Sequence, residues 1–145
     1  MAIEATRYHE IDCGHRVVRQ GGKCEHLHGH RYTVHFACGA APLNEIGMVL
    51  DFGVIKTRLC QWLEDAWDHR LLLWEEDPLL PGIAAVSPES VVVVPFNPTA
   101  ENLAEYLLRV VGPAQLAGTG VRLVRCLVEE TRKCAATAEL AHAEG

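Results

Sequence analysis

The sequence predicts an α+β fold, a four-stranded antiparallel sheet with two helices packed on one face, and three observations predict it. Apolar residues recur at Tyr32, Val34, Phe36 and Cys38, the two-residue period of a half-buried strand. Two later stretches switch to helical spacing, first at Phe52, Ile55, Leu59, Trp62 and Leu63, then at Leu103, Tyr106, Leu107, Val110 and Val111. Strand-like runs stand before and after both, and two amphipathic helices need an apolar sheet face to cover.

Taken in order, residues from Ile3 to about Arg19 read as a strand interrupted near Gly14. The connection "QGGKCEHLHG" has the glycines of a sharp reversal, so this strand and the next form a long antiparallel pair. Asp51 is placed to cap the first helix, which should end near Trp67. The stretch "DHRLLLWEEDPLLPGIAAVSPES" mixes prolines and acids in the manner of a long excursion, and "VVVVPF" offers a short strand after it. Pro98 and Thr99 announce the second helix, which Gly112 and Pro113 should end. After a Gly-rich turn "GVRLVRCLVEET" reads as a strand, and "CAATAEL" as a last short one.

The 145 residues suit one domain, 1–145, that buries roughly two-thirds of its unfolded surface. Nearly half the residues are apolar, and no internal repeat or low-complexity segment interrupts them. A net charge of −6 with scattered Lys and Arg argues against a nucleic-acid partner, though not against a small anionic substrate. The N-terminus lacks a signal-peptide core and no apolar run reaches the ~18 residues of a membrane span, so the expected location is the cytoplasm. There the six cysteines should be free thiols, most of them buried as small hydrophobes. Cys24 is the exception, set among Lys23, Glu25, His26 and His28.

The segment "GGKCEHLHGHRYTVHF" concentrates one cysteine and four of the eight histidines. His28 and His30, one residue apart on an extended backbone, project their imidazoles to the same side. Antiparallel pairing can bring His15 beside them. Three imidazoles suit zinc with a fourth position left for substrate or water, although His-x-His pairs also occur in exposed strands without any metal. His26 shares the parity of His28, whereas His35 faces the other way, and surface or outer-sphere roles suit both better. His9 and His142 read as ordinary surface residues. Cys24 separates two kinds of site. As a fourth ligand it closes a structural Cys-His₃ shell; outside the shell it is a thiol available as base or nucleophile.

These residues carry a resemblance. "CEHLHGH" is similar to the Cys-x₃-His-Gly-His motif of the 6-pyruvoyl-tetrahydropterin synthase and 6-carboxy-tetrahydropterin synthase family. "IDCGHRV", "GMVLDFGVIK", "WDHRLLL", "FNPTAENLAEYL" and "VEET" resemble further motifs of that family in the family's order, so that the likeness runs from about Tyr8 to Glu139. It implies the tunnelling fold, usually assembled as a homohexamer of two stacked trimers with active sites at subunit interfaces. It implies Zn²⁺ held by His15, His28 and His30, a catalytic set of Cys24, Asp68 and His69, and a pterin anchored by Glu130, with Thr99 and Glu101 near its pocket. The implied substrate is 7,8-dihydroneopterin triphosphate. Its product is either the 6-carboxy pterin, with loss of acetaldehyde and triphosphate on the route to queuosine and other deazapurines, or the 6-pyruvoyl pterin. A non-catalytic zinc protein with Cys24 as the fourth ligand is the reading from another class.

The chain departs from the family at the pocket wall. Ile11, Cys13 and Gly14 replace the usual Phe and small residues before the first histidine, and Trp67 replaces the usual Leu before Asp68. The segment from Arg70 to Phe96 is longer than in compact members. Without the resemblance, Asp68-His69 is a helix end, Thr99 an N-cap, and Glu130 a strand residue indistinguishable from Glu129.

Overall fold

The long hairpin expected from the first forty residues is the centre of the sheet. In the computed structural model, which describes residues 3–40 and 42–141, β1 (Glu4–His15) and β2 (His28–Gly39) pair antiparallel along their whole length, from Glu4 opposite Gly39 to His15 opposite His28. β1 stops at His15 rather than near Arg19. Residues 16–27 form the connection, where Arg19 and Gly21 take positive φ values of 67° and 85° and a single 3₁₀ turn spans Lys23–Glu25. His142 lies outside the described residues.

Helix α1 runs over 52–66, as Phe52–Ile55, a π-helical turn Lys56–Cys60, and Gln61–Ala66. The Asp51 carboxylate caps it by accepting from the Gly53 N–H at 2.7 Å. Ile55, Leu59 and Leu63 are fully buried on the sheet, while Phe52, on the first turn, is 56% exposed. The second long helix covers 100–115, capped by the Thr99 hydroxyl, which accepts from Asn102 N–H at 3.1 Å. It continues through Gly112 and Pro113 instead of ending there. A π turn over Leu107–Val111 lets the Gly112 N–H donate to the Leu107 carbonyl, and this widened turn accommodates the proline ring that a regular α-helix would reject.

The sheet has six strands and is mixed, which corrects the expectation of four antiparallel strands. Its order is β4-β3-β1-β2-β5-β6, with β3 (Leu71–Trp74), β4 (Val91–Val94), β5 (Arg122–Glu129) and β6 (Ala135–Glu139). β3 runs parallel to β1, and β4 parallel to β3; the other pairings are antiparallel. β3 and β4 are four-residue apolar runs without alternation, the pattern of parallel strands, and periodicity cannot distinguish such short runs from other buried segments. The helix Leu80–Val86 lies in the crossover between them, so it is α2 and helix 100–115 is α3.

One face of the sheet meets α1 and α3 in a continuous core. Ile11, Cys13, Tyr32, Val34, Phe36 and Cys38 of the hairpin pack there with Leu123, Cys126 and Val128 of β5 and with Leu103, Leu107 and Val111 of α3. All six cysteines are free; Cys13, Cys38, Cys60 and Cys126 are buried, and Cys134 is exposed. No helix among the described residues is long and apolar enough to cross a membrane.

Candidate active site

The hairpin register builds the site. His15 stands opposite His28 at the loop end of β1–β2, and Cys13 stands opposite His30, so all three imidazoles share the sheet face that carries Tyr32. Their nearest ligating nitrogens lie within 4.8 Å of one another. Among the described residues the three histidines form a group that could hold a metal ion, and Cys24 is not part of it.

The hydrogen bonds fix which ring nitrogens point inward. His15 Nδ1 is 2.7 Å from the Pro98 carbonyl, and His28 Nδ1 is 2.7 Å from the His26 carbonyl. A carbonyl only accepts, so each Nδ1 carries the proton and each Nε2 presents a lone pair. Those two Nε2 atoms face each other at 3.0 Å. His30 Nε2 is buried with no hydrogen-bond partner. Burial pushes His15 and His30 below the ordinary histidine range; the nearby Glu130 charge works in the opposite direction on both. Neutral imidazoles with converging lone pairs, two of them oriented by backbone carbonyls, fit a divalent cation of the zinc type.

Glu130 sits just beyond β5, on a tight turn in which its N–H donates to the Cys134 carbonyl at 3.0 Å. Its Oε1 lies 3.6 Å from His15 Nε2 and 3.9 Å from His30 Nε2. The register also separates it from its neighbour: Glu129 pairs opposite Thr33 and bonds His35 Nε2 at 2.9 Å on the outer face. Tyr32 closes the floor of the site. Its hydroxyl is 3.2 and 3.3 Å from the two ring nitrogens of His15, so it packs on that ring, and burial holds its phenol well above the ordinary tyrosine range.

Cys24 lies on the 3₁₀ turn, partly buried, with its carbonyl accepting from Val17 N–H at 2.7 Å. Cys13, the other cysteine near the histidines, is an unsuitable base, because burial, with a smaller contribution from the Asp68 charge, pushes its thiol up to about 12.

Asp68 and His69 form a bonded pair whose imidazole is exposed on a cleft that His30 also lines. Asp68 Oδ1 accepts from Asp12 N–H at 2.9 Å, and Oδ2 accepts from His69 Nδ1 at 2.7 Å. His69 adopts φ 59°, its own N–H donates to Asp12 O at 2.7 Å, and its side chain is 75% exposed. The cleft, of 560 Å³, is shared with Asp12 and Arg31 of the outer face and with Cys13 and His30 of the face that carries the histidines.

Thr99 serves as the α3 cap, one residue beyond the carbonyl that orients His15, and Glu101 stands exposed on the first turn. His26 is exposed and contributes its carbonyl rather than its ring; His9 pairs with Glu64 at 2.7 Å on the surface. Sequence reasoning missed Tyr32 and Pro98. Tyr32 shares the parity of His28 and His30, a usable signal, whereas a backbone carbonyl 83 residues from its histidine leaves none.

Comparison with known proteins gives the family. The profile of the family described as 6-pyruvoyl tetrahydropterin synthase matches residues 4–141. A Rickettsia felis protein named 6-carboxy-5,6,7,8-tetrahydropterin synthase is 35% identical over 133 residues, covering 91% of this chain and 96% of the relative. In fold, the chain is similar to an uncharacterized protein from Wolinella succinogenes, with TM-score 0.86, 24% identity, and 97% and 99% of the two chains covered. It is also similar to the 6-pyruvoyl tetrahydropterin synthase of Caenorhabditis elegans, with TM-score 0.70, 20% identity, and 97% of each chain covered. With a profile match over nearly its whole length and a relative above 30% identity, the chain belongs to the 6-pyruvoyl tetrahydropterin synthase family.

Proposed function

We propose that this chain is a zinc-dependent 6-carboxy-5,6,7,8-tetrahydropterin synthase, a carbon–carbon lyase that cleaves 7,8-dihydroneopterin triphosphate with release of acetaldehyde and triphosphate. The observation that carries the reading is the convergence of His15, His28 and His30 with inward lone pairs beside the Glu130 carboxylate. The name borne by the Rickettsia relative supports the carboxy product over the pyruvoyl one.

Zinc bound by the three histidines would supply Lewis acidity to a side-chain hydroxyl of the substrate, the kind of assistance that makes an alkoxide accessible near neutral pH. The Glu130 carboxylate accepts two N–H groups from the amino-pyrimidine edge and fixes the pterin ring, with Thr99 and Glu101 bordering it. Cys24, as thiolate, takes a proton from the substrate side chain. His69 holds its Nδ1 proton against Asp68, which leaves Nε2 to accept or return a proton. With its imidazole 75% exposed, the pair is open to a neighbouring copy, as the family likeness with active sites at subunit interfaces implies. This favours a homo-oligomer, a hexamer by family likeness, in which subunit interfaces complete each site. The chain acts as one domain over residues 1–145, in the cytoplasm, on the route to queuosine and related deazapurines.

The test is zinc-loaded protein incubated with 7,8-dihydroneopterin triphosphate, followed by product analysis. Acetaldehyde and a carboxylated pterin support the proposal; a pyruvoyl side chain without acetaldehyde assigns the 6-pyruvoyl tetrahydropterin synthase activity for which the C. elegans neighbour is named. Cys24→Ala decides against a structural zinc protein if zinc stays bound while turnover is abolished. Loss of zinc in that variant puts the thiol in the metal shell instead.

A further inference from the structure

The residue next to the first site histidine is a buried cation. Arg16, only 7% exposed, forks onto Asp77, 2% exposed, through Nε at 3.0 and 2.8 Å from the two carboxylate oxygens and Nη2 at 2.7 Å from Oδ1. Asp77 is held for this contact by the turn that follows β3, where its N–H donates to the Trp74 carbonyl at 2.9 Å and its Oδ1 accepts from Leu79 N–H at 2.8 Å. Arg16 has one nitrogen left, Nη1, which donates to the Glu25 carbonyl at 3.1 Å. The next residue, Val17, donates its N–H to the Cys24 carbonyl at 2.7 Å. Two successive carbonyls of the cysteine turn are therefore gripped by the two residues that directly follow His15. The other bonds of the turn are local to its own loop, Glu25 N–H to the Gly22 carbonyl at 3.1 Å, His26 N–H to the Lys23 carbonyl at 3.1 Å and Gly21 N–H to the Glu25 carboxylate at 2.7 Å, and none of its residues is buried, so Arg16 and Val17 tie it to the end of β1.

We propose that Asp77, acting through Arg16, is a positioning residue for Cys24, so that the turn after β3 is a working part of the active site. The proposal rests on the reading of Cys24 as the catalytic base. It gives a role to part of the segment from Arg70 to Phe96. Asp77 locks the planar guanidinium, the locked guanidinium presents Nη1 to the turn, and the turn carries the thiol to a fixed place relative to His15. A lysine at 16 could reach one partner but could not span both, because its ammonium lacks the rigid fork.

The experiment compares the zinc-loaded parent with Asp77→Asn and with the double variant Arg16→Met, Asp77→Leu, which removes both buried charges together and so keeps the question answerable if the single variant does not fold. Bound zinc, kcat, KM and the iodoacetamide alkylation rate of Cys24 are measured, with the exposed Cys134 as internal control by peptide mass spectrometry. The expected result is zinc bound as in the parent, a Cys24 alkylation rate changed by about threefold or more against an unchanged Cys134, and kcat lowered roughly 10²-fold with KM little altered. Parent-like Cys24 alkylation and kcat with only a lowered melting temperature overturn the proposal, as does loss of zinc, which would mean that the pair supports His15. If the parent itself leaves dihydroneopterin triphosphate untouched, the enzyme reading fails, while the alkylation rates still decide whether Asp77 positions the thiol.

Discussion

His15 and His28 meet Nε2 to Nε2 at 3.0 Å, each with its Nδ1 proton committed to a backbone carbonyl. Two lone pairs at that distance repel unless positive charge lies between them, so the arrangement favours a cation. His28→Ala should therefore lose bound metal, and chelation of the parent should lower its melting temperature. At a free metal concentration a thousand times Kd, binding adds about 4 kcal/mol to stability. Metal content by mass spectrometry and melting with and without chelator check this; a His28→Ala protein that keeps stoichiometric zinc contradicts it.

The Asp68–His69 pair predicts a pH dependence whose sign follows from its hydrogen bond. Asp68, by that bond and by its charge, holds His69 above the usual 6.5. Burial works to raise Asp68, but the bonds from Asp12 N–H and His69 outweigh it and hold the carboxyl below the usual 3.8. The His69 contribution to stability is thus fully present below 6.5 and is lost as pH rises through the raised value. The Asp68 contribution is present above 3.8 and is lost as pH falls through the lowered one. Asp68→Asn, which can still accept from Asp12, should move the His69 midpoint down toward 6.5 in an NMR titration. A midpoint left in place would show that Asp68 does not control this imidazole.

Orientation adds a second test of the same pair. Because His69 is exposed on the cleft that His30 also lines and is not among the three converging imidazoles, His69→Ala should lower kcat roughly 10²–10⁴-fold with zinc retained. Mixing it with Cys24→Ala should then restore activity. If each site takes its thiol and its imidazole from different chains, equal mixing leaves roughly a quarter of the sites intact. Refolded mixtures that stay as inactive as either parent variant contradict shared sites.

Glu130 should act on substrate binding more than on metal. Glu130→Gln keeps the shape but loses the charge that accepts pterin N–H groups, a loss of about 1.5–3 kcal/mol for a charged hydrogen bond, or roughly 10–150-fold in pterin affinity. Titration with a non-reacting pterin, alongside metal analysis, measures it. Unchanged pterin affinity would move the anchor elsewhere.

The parts of this structure that follow a period were legible in the sequence. The alternation from Tyr32 to Cys38 and the one-residue spacing of His28 and His30 gave both the inner face of β2 and the orientation of two imidazoles, and the register then supplied His15. β3 and β4 were not legible as a parallel pair, because Leu71–Trp74 and Val91–Val94 are too short and too uniformly apolar to show a period, and their partners are set by the crossover through α2. Arg16–Asp77, separated by 61 residues, and the Pro98 carbonyl on His15 are long-range contacts without local pattern. His69 was found by resemblance, but its direction depends on a positive φ that the residues around it do not announce.

Gly112 shows the same limit and yields a stability prediction. With Pro113 beside it, the residue looks like a helix stop, yet it is helical and buried, with φ −54°. The reason for glycine is contact: a Cβ there would meet Leu123 Cβ and Cδ2 at 2.8 Å and the Leu107 carbonyl at 3.2 Å. The glycine lets α3 approach β5 closely, so that Leu123 packs directly against the helix backbone. Alanine normally favours a helix over glycine by about 1 kcal/mol, but here the added methyl must push β5 and α3 apart, and overpacking costs about 1–3 kcal/mol. The net effect of Gly112→Ala is therefore destabilisation, read as a lower midpoint in denaturant unfolding of the metal-loaded protein. A midpoint equal to or above the parent's would mean that the helix and strand can separate freely at this contact, and that propensity alone governs the position.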